Sequence, residues 1–148
     1  MADHSSAGPH VQLAVFCEKV LEEKSGTISV VRIIDTWLTT AVGPSAPAQM
    51  DPIALNVTYV LALMAGAARG RHTITLELEE PSGLSRPLSQ FDANFSNPNT
   101  GINFVFNTPL ICEHEGVYWM NALIGFPGEQ PNTLLSRTPL TVRYQRQA

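Results

Sequence analysis

Three observations predict an all-β chain built as a single antiparallel β-sandwich of about eight strands. Apolar residues recur at a period of two along most of the sequence, the spacing of side chains on one face of a strand. No stretch carries an amphipathic helical pattern of useful length. Breakers rich in Gly, Pro, Asn and Ser separate the runs at the intervals seen in sandwiches. A Greek-key or immunoglobulin-like topology is the expected arrangement, and a closed barrel is the alternative.

At 148 residues and 44% hydrophobic, the chain has material for one domain with a proper core. Residues 1–10 lack a basic start and an apolar h-region, so they read as a flexible leader, and 11–148 as the sandwich domain. Charged residues make up only 15%, against roughly 25% in ordinary soluble domains. A neutral surface of that kind suits a protein that buries part of itself against a partner. The net charge of −4 and the scattered Lys and Arg argue against nucleic acid. The longest apolar stretch, 57–68, is interrupted by Thr58 and Gly66 and is too short to span a membrane. Cys17 and Cys112 are then expected to stay free thiols in a reducing cytoplasm.

The strands follow in order. Val11, Leu13, Val15 and Cys17 alternate with Gln12, Ala14 and Phe16 in the first. A charged bend over 18–26 follows, with a single helical turn over 18–24 as the competing reading. Residues 27–38 are dense in Ile and Val on both faces, as in a central strand covered on both sides. Pro44, Pro47 and Pro52 make 39–52 a crossing loop, because proline removes a ladder donor. Residues 53–64 and 72–79 alternate cleanly and are expected to form an antiparallel hairpin. Pro81-Ser82-Gly83 ends that pair. A further strand near 88–95 places Phe91, Ala93 and Phe95 on one face, and 96–101 is a turn. Residues 102–110 alternate again. The closing runs, 117–126 and 134–144, are joined by a linker over 127–133 that is too long for a two-residue turn. The two runs are therefore open to being split between sheets. Tyr118, Met120, Ala122 and Ile124 share a core face, with Trp119 opposite.

Candidate chemistry is sparse. Cys112-Glu113-His114-Glu115 offers metal-ligand types that His72 or Cys17 could complete, but zinc sites draw on paired motifs at fixed spacing, so no metal is expected, with Cys112 and His114 as weak candidates. His4 and His10 sit in the leader, which leaves His72 and His114 as possible bases, and no nucleophile elbow or phosphate loop is present. No catalytic residue and no cofactor is assigned. Trp37 and Trp119 are candidate stacking surfaces for a small ligand or a sugar, against the alternative that both pack in the core. Arg32 and Asp35 stand in an apolar strand, where a buried charge needs a partner across strands or at an interface. By parity they face opposite ways.

Several of these segments resemble a group of short, uncharacterised bacterial proteins. The resemblance is carried by Cys17-Glu18, by Gly26-Thr27-Ile28-Ser29-Val30-Val31 with Ile33-Ile34-Asp35, and by Gly116-Val117-Tyr118 with Arg137-Thr138-Pro139-Leu140-Thr141-Val142. It implies a small sandwich and supplies no catalytic residues; the Glu-rich bend after Glu18 is longer than that pattern's. The expected function is a non-catalytic cytoplasmic interaction or assembly module, with a protein partner or self-association at exposed strand edges. The alternative is a small-ligand or carbohydrate-binding module.

Overall fold

The computed structural model describes residues 8–130 and 133–147, and every regular element in it is a strand. In chain order these are β1 (His10–Glu22), β2 (Ile28–Ile34), β3 (Thr36–Val42), β4 (Ile53–Leu55), β5 (Thr58–Met64), β6 (Gly70–Glu79), β7 (Ser85–Phe95), β8 (Gly101–Phe106), β9 (Leu110–Cys112), β10 (Gly116–Gly125) and β11 (Thr133–Gln147). A four-stranded sheet runs β2-β1-β5-β8, a five-stranded sheet runs β3-β11-β10-β6-β7, and β4 pairs with β9. Among the described residues no helix is long and apolar enough to cross a membrane.

The larger sheet is mixed rather than purely antiparallel. β3 lies parallel to β11, with Thr36 opposite Thr141 and Val42 opposite Gln147. Residues 27–38 are accordingly not one central strand. They are two edge strands that meet at Asp35, where the chain passes from one sheet to the other. The inward parity switches there: Ile34 packs against the core before the corner and Trp37 after it. That switch is why both faces of the segment look apolar in sequence.

Residues 53–64 and 72–79 do not form a hairpin. β5 sits between β1 and β8, whereas β6 sits between β10 and β7. The 53–64 run also breaks at Asn56-Val57, and 102–110 divides into β8 and the start of β9, so that the short β4–β9 ribbon can form. The charged stretch after Cys17 is neither bend nor helical turn. β1 continues to Glu22, and the β1–β2 hairpin turns only where Gly26, at φ 87°, lets its amide donate to the Glu23 carbonyl at 2.9 Å. Charge does not bend a strand whose ladder extends past the core into solvent. At the other end β1 opens at His10, inside the expected leader, whose residues 1–7 lie outside the described residues.

The closing pair stays in one sheet: β10 and β11 are antiparallel neighbours from Gly116–Val142 to Ile124–Thr133. Their inward residues are as the alternation predicts. Tyr118, Met120, Ala122, Ile124, Leu140 and Val142 are all buried. They face Phe16, Tyr59, Leu61 and Leu63 of the smaller sheet in one core. Leu55, Leu110 and Cys112 of the β4–β9 ribbon belong to the same cluster. The Thr138 hydroxyl donates to the Ala14 carbonyl at 3.1 Å and ties β11 to β1.

Candidate contact surface

The two sheets differ in what they turn away from the core. On the five-stranded sheet the outer side chains include paired charges beside the exposed Leu38, Val42 and Val117. Arg71 makes two hydrogen bonds to one Asp92 carboxylate oxygen, at 3.0 and 2.7 Å from Nε and Nη2, and holds the Asp92 carboxyl below its usual range. Farther along, Arg137 pairs with Glu79 while its guanidinium lies 4.0 Å above the Trp119 ring.

The four-stranded sheet is apolar on its outer face as well. The register sets Val15, Val60 and Val105 in one row across β1, β5 and β8, and Leu13 beside Ala62 in the next. Cys17 lies between Ile33 and Thr58. Val60 and Cys17 have no accessible surface, although neither belongs to the main core cluster. Ile33, beside Cys17 at the rim of the face, is 61% exposed. Burial pushes the Cys17 thiol up from its ordinary range, and its Sγ donates to the Lys19 carbonyl at 3.6 Å. The Thr58 hydroxyl spends its hydrogen bond on Asn107 Oδ1 at 3.0 Å. The face is apolar around this row, with the exposed Lys19 and Asn103 at its margins.

Sequence reasoning named none of this row as a site. The signal was present: residues 59–65 are apolar at both parities, the mark of a strand covered on both faces. It was assigned to 27–38 instead, where the cause is the sheet-changing corner.

The residues singled out from sequence are scattered rather than gathered. Trp37 is half-buried against the core from β3. Trp119 stands on the outer face of the same sheet, between Glu79 and Pro139. The two indoles therefore lie on opposite faces and form no common platform, and Arg137 occupies one ring face of Trp119. Replacing Arg137 by Ala is expected to cost about 1 kcal/mol, the combined scale of an exposed cation–π contact and a surface ion pair. Urea denaturation measures that loss, and Trp fluorescence should shift as the ring is uncovered.

Arg32 and Asp35 are both exposed, so neither is the buried charge that the apolar strand suggested. Arg32 adopts a left-handed backbone, φ 56°, and its Nε lies 3.4 Å from the Glu18 carboxylate across the hairpin. Asp35 acts through its backbone at the corner, its carbonyl accepting from the Thr141 amide at 2.9 Å. Cys112 and His114 do not converge. Cys112 is fully buried, whereas His114 is on the surface and its carbonyl accepts the Tyr118 hydroxyl at 2.6 Å. Glu115 accepts the Tyr144 amide at 2.9 Å. Among the described residues no three His, Cys, Asp or Glu side chains are grouped to hold a metal. Cys17 and Cys112 are both free.

A cleft of about 680 Å³ opens where β1 begins, lined by His10, His72, Phe126 and Leu134 among others. His72 is wedged between Phe95 and Phe126, with ring centroids 5.4 and 5.0 Å away, and its Nδ1 lies 3.2 Å from the Gly70 carbonyl. Its walls are polar and apolar in similar measure and converge on no single ligand chemistry.

No known family model matches this chain, and no curated protein matches it at a significant level.

Proposed function

We propose that this chain is a non-catalytic interaction or assembly module that meets its partner through the outer face of the four-stranded sheet. One observation carries the reading: β5 is buried along six consecutive residues, Thr58 to Leu63, so the sheet has a second apolar side beyond the one that faces the core. An outward sheet face is ordinarily polar; here exposed apolar side chains, Ile33 and Leu21, flank the buried row, and exposed apolar surface marks interaction sites. The opposite sheet carries the ion pairs Arg71–Asp92 and Arg137–Glu79 on its outward side. The passage of successive strands between sheets, at β2–β3 and β5–β6, supports a sandwich of Greek-key or immunoglobulin-like kind. Two buried free thiols fit a reducing compartment, and we take the cytoplasm as the setting.

The test uses Ile33, which is exposed enough to carry a charge without unfolding the sheet. Ile33→Asp should leave the melting temperature within a few degrees of wild type, as surface substitutions do. It should also abolish co-purification of the native-host partner that wild type retains. Leu84→Asp, in the equally exposed β6–β7 turn, should keep the partner. Footprinting of the recovered complex should protect Ile33 and the β1 segment around Val15. If Ile33→Asp and wild type recover the same proteins with the same footprint, the reading fails.

A further inference from the structure

We propose that β8 is an open edge along which a second copy of this chain adds, β8 against β8 antiparallel, so that two four-stranded sheets join into one. The inference rests on the reading of the chain as an interaction module, but it uses a different surface, the edge rather than the face.

Among the described residues the two larger sheets have four edge strands: β2 and β8 on one, β3 and β7 on the other. Edge strands carry unpaired backbone donors and acceptors, and proteins blunt them with charges, prolines and bulges. β2 is interrupted by the left-handed Arg32 and guarded by its ion pair with Glu18. β7 contains Pro87 at an irregularity in its ladder with β6, and Asp92 there is paired with Arg71. β8 has no such device. From Ala93 to Cys112 the sequence holds no Asp, Glu, Lys, Arg or His, and β8 itself reads Gly-Ile-Asn-Phe-Val-Phe.

β3 is uncharged too, but its two exposed apolar side chains, Leu38 and Val42, lie on one face only. β8 leaves apolar side chains half-buried on both sides of the sheet. Ile102, Phe104 and Phe106 pack toward the core and Val105 stands away from it. Pairing along β8 therefore removes apolar surface on both faces at once. The edge is also held firmly. Phe104 stacks on Phe91 with ring centroids 3.9 Å apart, and the turn before β8 is fixed by Asn97 Oδ1 accepting the Asn99 amide at 2.9 Å.

Charge selects the occupant. In a two-fold contact every side chain meets the same surface of its copy, and on a chain of net charge −4 most surfaces would then repel. The uncharged β8 strip meets its own copy without that penalty, and an antiparallel strand pair is self-complementary in its hydrogen bonds. The Val15–Val60–Val105 row would continue across the axis into the same row of the second copy.

Asn103 provides the test, because it is exposed and lies near the middle of β8. Wild type should run as a dimer by light scattering. Asn103→Lys and Asn103→Glu should each raise the dissociation constant at least about tenfold, since like charges on facing strands repel. Both variants should keep wild-type circular dichroism. Mixed in equal amounts, Lys and Glu variants should recover a heterodimer by native mass spectrometry. A wild type that stays monomeric at concentrations on the order of 0.1 mM, undiminished dimerisation of both variants, or cross-links that run through β3 would each overturn the proposal. If wild type is monomeric while Ile33→Asp loses its partner, the edge proposal alone falls. If Ile33→Asp changes nothing while the Asn103 pair behaves as described, the face reading alone falls.

Discussion

Replacing Gly116 by Ala is expected to destabilise the protein by about 3 kcal/mol or more, from two separate penalties. Gly116 opens β10 at φ 133°, a backbone conformation that an L side chain adopts only under strain. A Cβ placed there would stand 2.7 Å from Pro81 Cγ and 2.8 Å from Pro81 Cβ. The proline ring cannot swing aside as a flexible side chain would, so the backbone itself has to move. Gly83→Ala separates the two penalties. That glycine also has positive φ, 91°, but nothing lies within 4 Å of its would-be Cβ. Only the backbone cost of roughly 1–2 kcal/mol applies there. Chemical denaturation of both variants should give the larger loss at Gly116, and equal losses would remove Pro81 from the account.

The second large effect appears at high pH. Burial pushes the Cys112 thiol from 9.0 to about 11 and the Tyr59 hydroxyl from 10.0 to about 12. Both groups are neutral when protonated, and both hold their protons more tightly folded than unfolded. Between pH 9 and 12 the unfolded chain therefore binds fewer protons than the native one. Stability is full below pH 9 and falls as pH rises through this window, each group contributing a loss on the order of a few kcal/mol at most. Tyr59→Phe should flatten the upper part of that decline, from pH 10 to 12, and Cys112→Ala the lower part, from pH 9 to 11. At pH 7 Tyr59→Phe should be neutral or stabilising by about 1 kcal/mol, because the buried Tyr59 hydroxyl has no hydrogen-bond partner of normal geometry. A Tyr59→Phe protein that loses stability at neutral pH would show that the hydroxyl is in fact bonded, for instance through water to Ser136 or Thr138.

The inward faces were legible wherever a strand keeps one parity from end to end. β6 and β10 show this: Ile74, Leu76 and Leu78, and Tyr118 to Ile124, are buried in the alternation their sequences display. Pairing was not legible, because alternation says which side is wet and not which strand lies alongside. Hence 53–64 and 72–79, adjacent in sequence and equally regular, lie in different sheets. Corners were misread for a related reason. A strand that changes sheet at Asp35 and a strand covered on both faces, β5, produce the same doubly apolar pattern. Of the candidate site residues, Trp119 lies opposite the Tyr118 face as its parity requires. The Glu18 partner of Arg32 depends on a hairpin register that no local pattern reveals.

The parallel pairing of β3 with β11 also governs the order in which the molecule can be completed. Among the described residues β3 has no neighbour in its sheet except β11, and Thr36 meets Thr141. During synthesis the β1–β2 hairpin can form as soon as it emerges, whereas β3 waits for the last long strand of the chain. Until then Trp37, Leu38 and Val42 have nothing to pair with, and a long loop must close before their ladder forms. The five-stranded sheet is therefore sealed last, and a nascent chain arrested before β11 would present β3 as a sticky, half-made edge to the quality-control machinery.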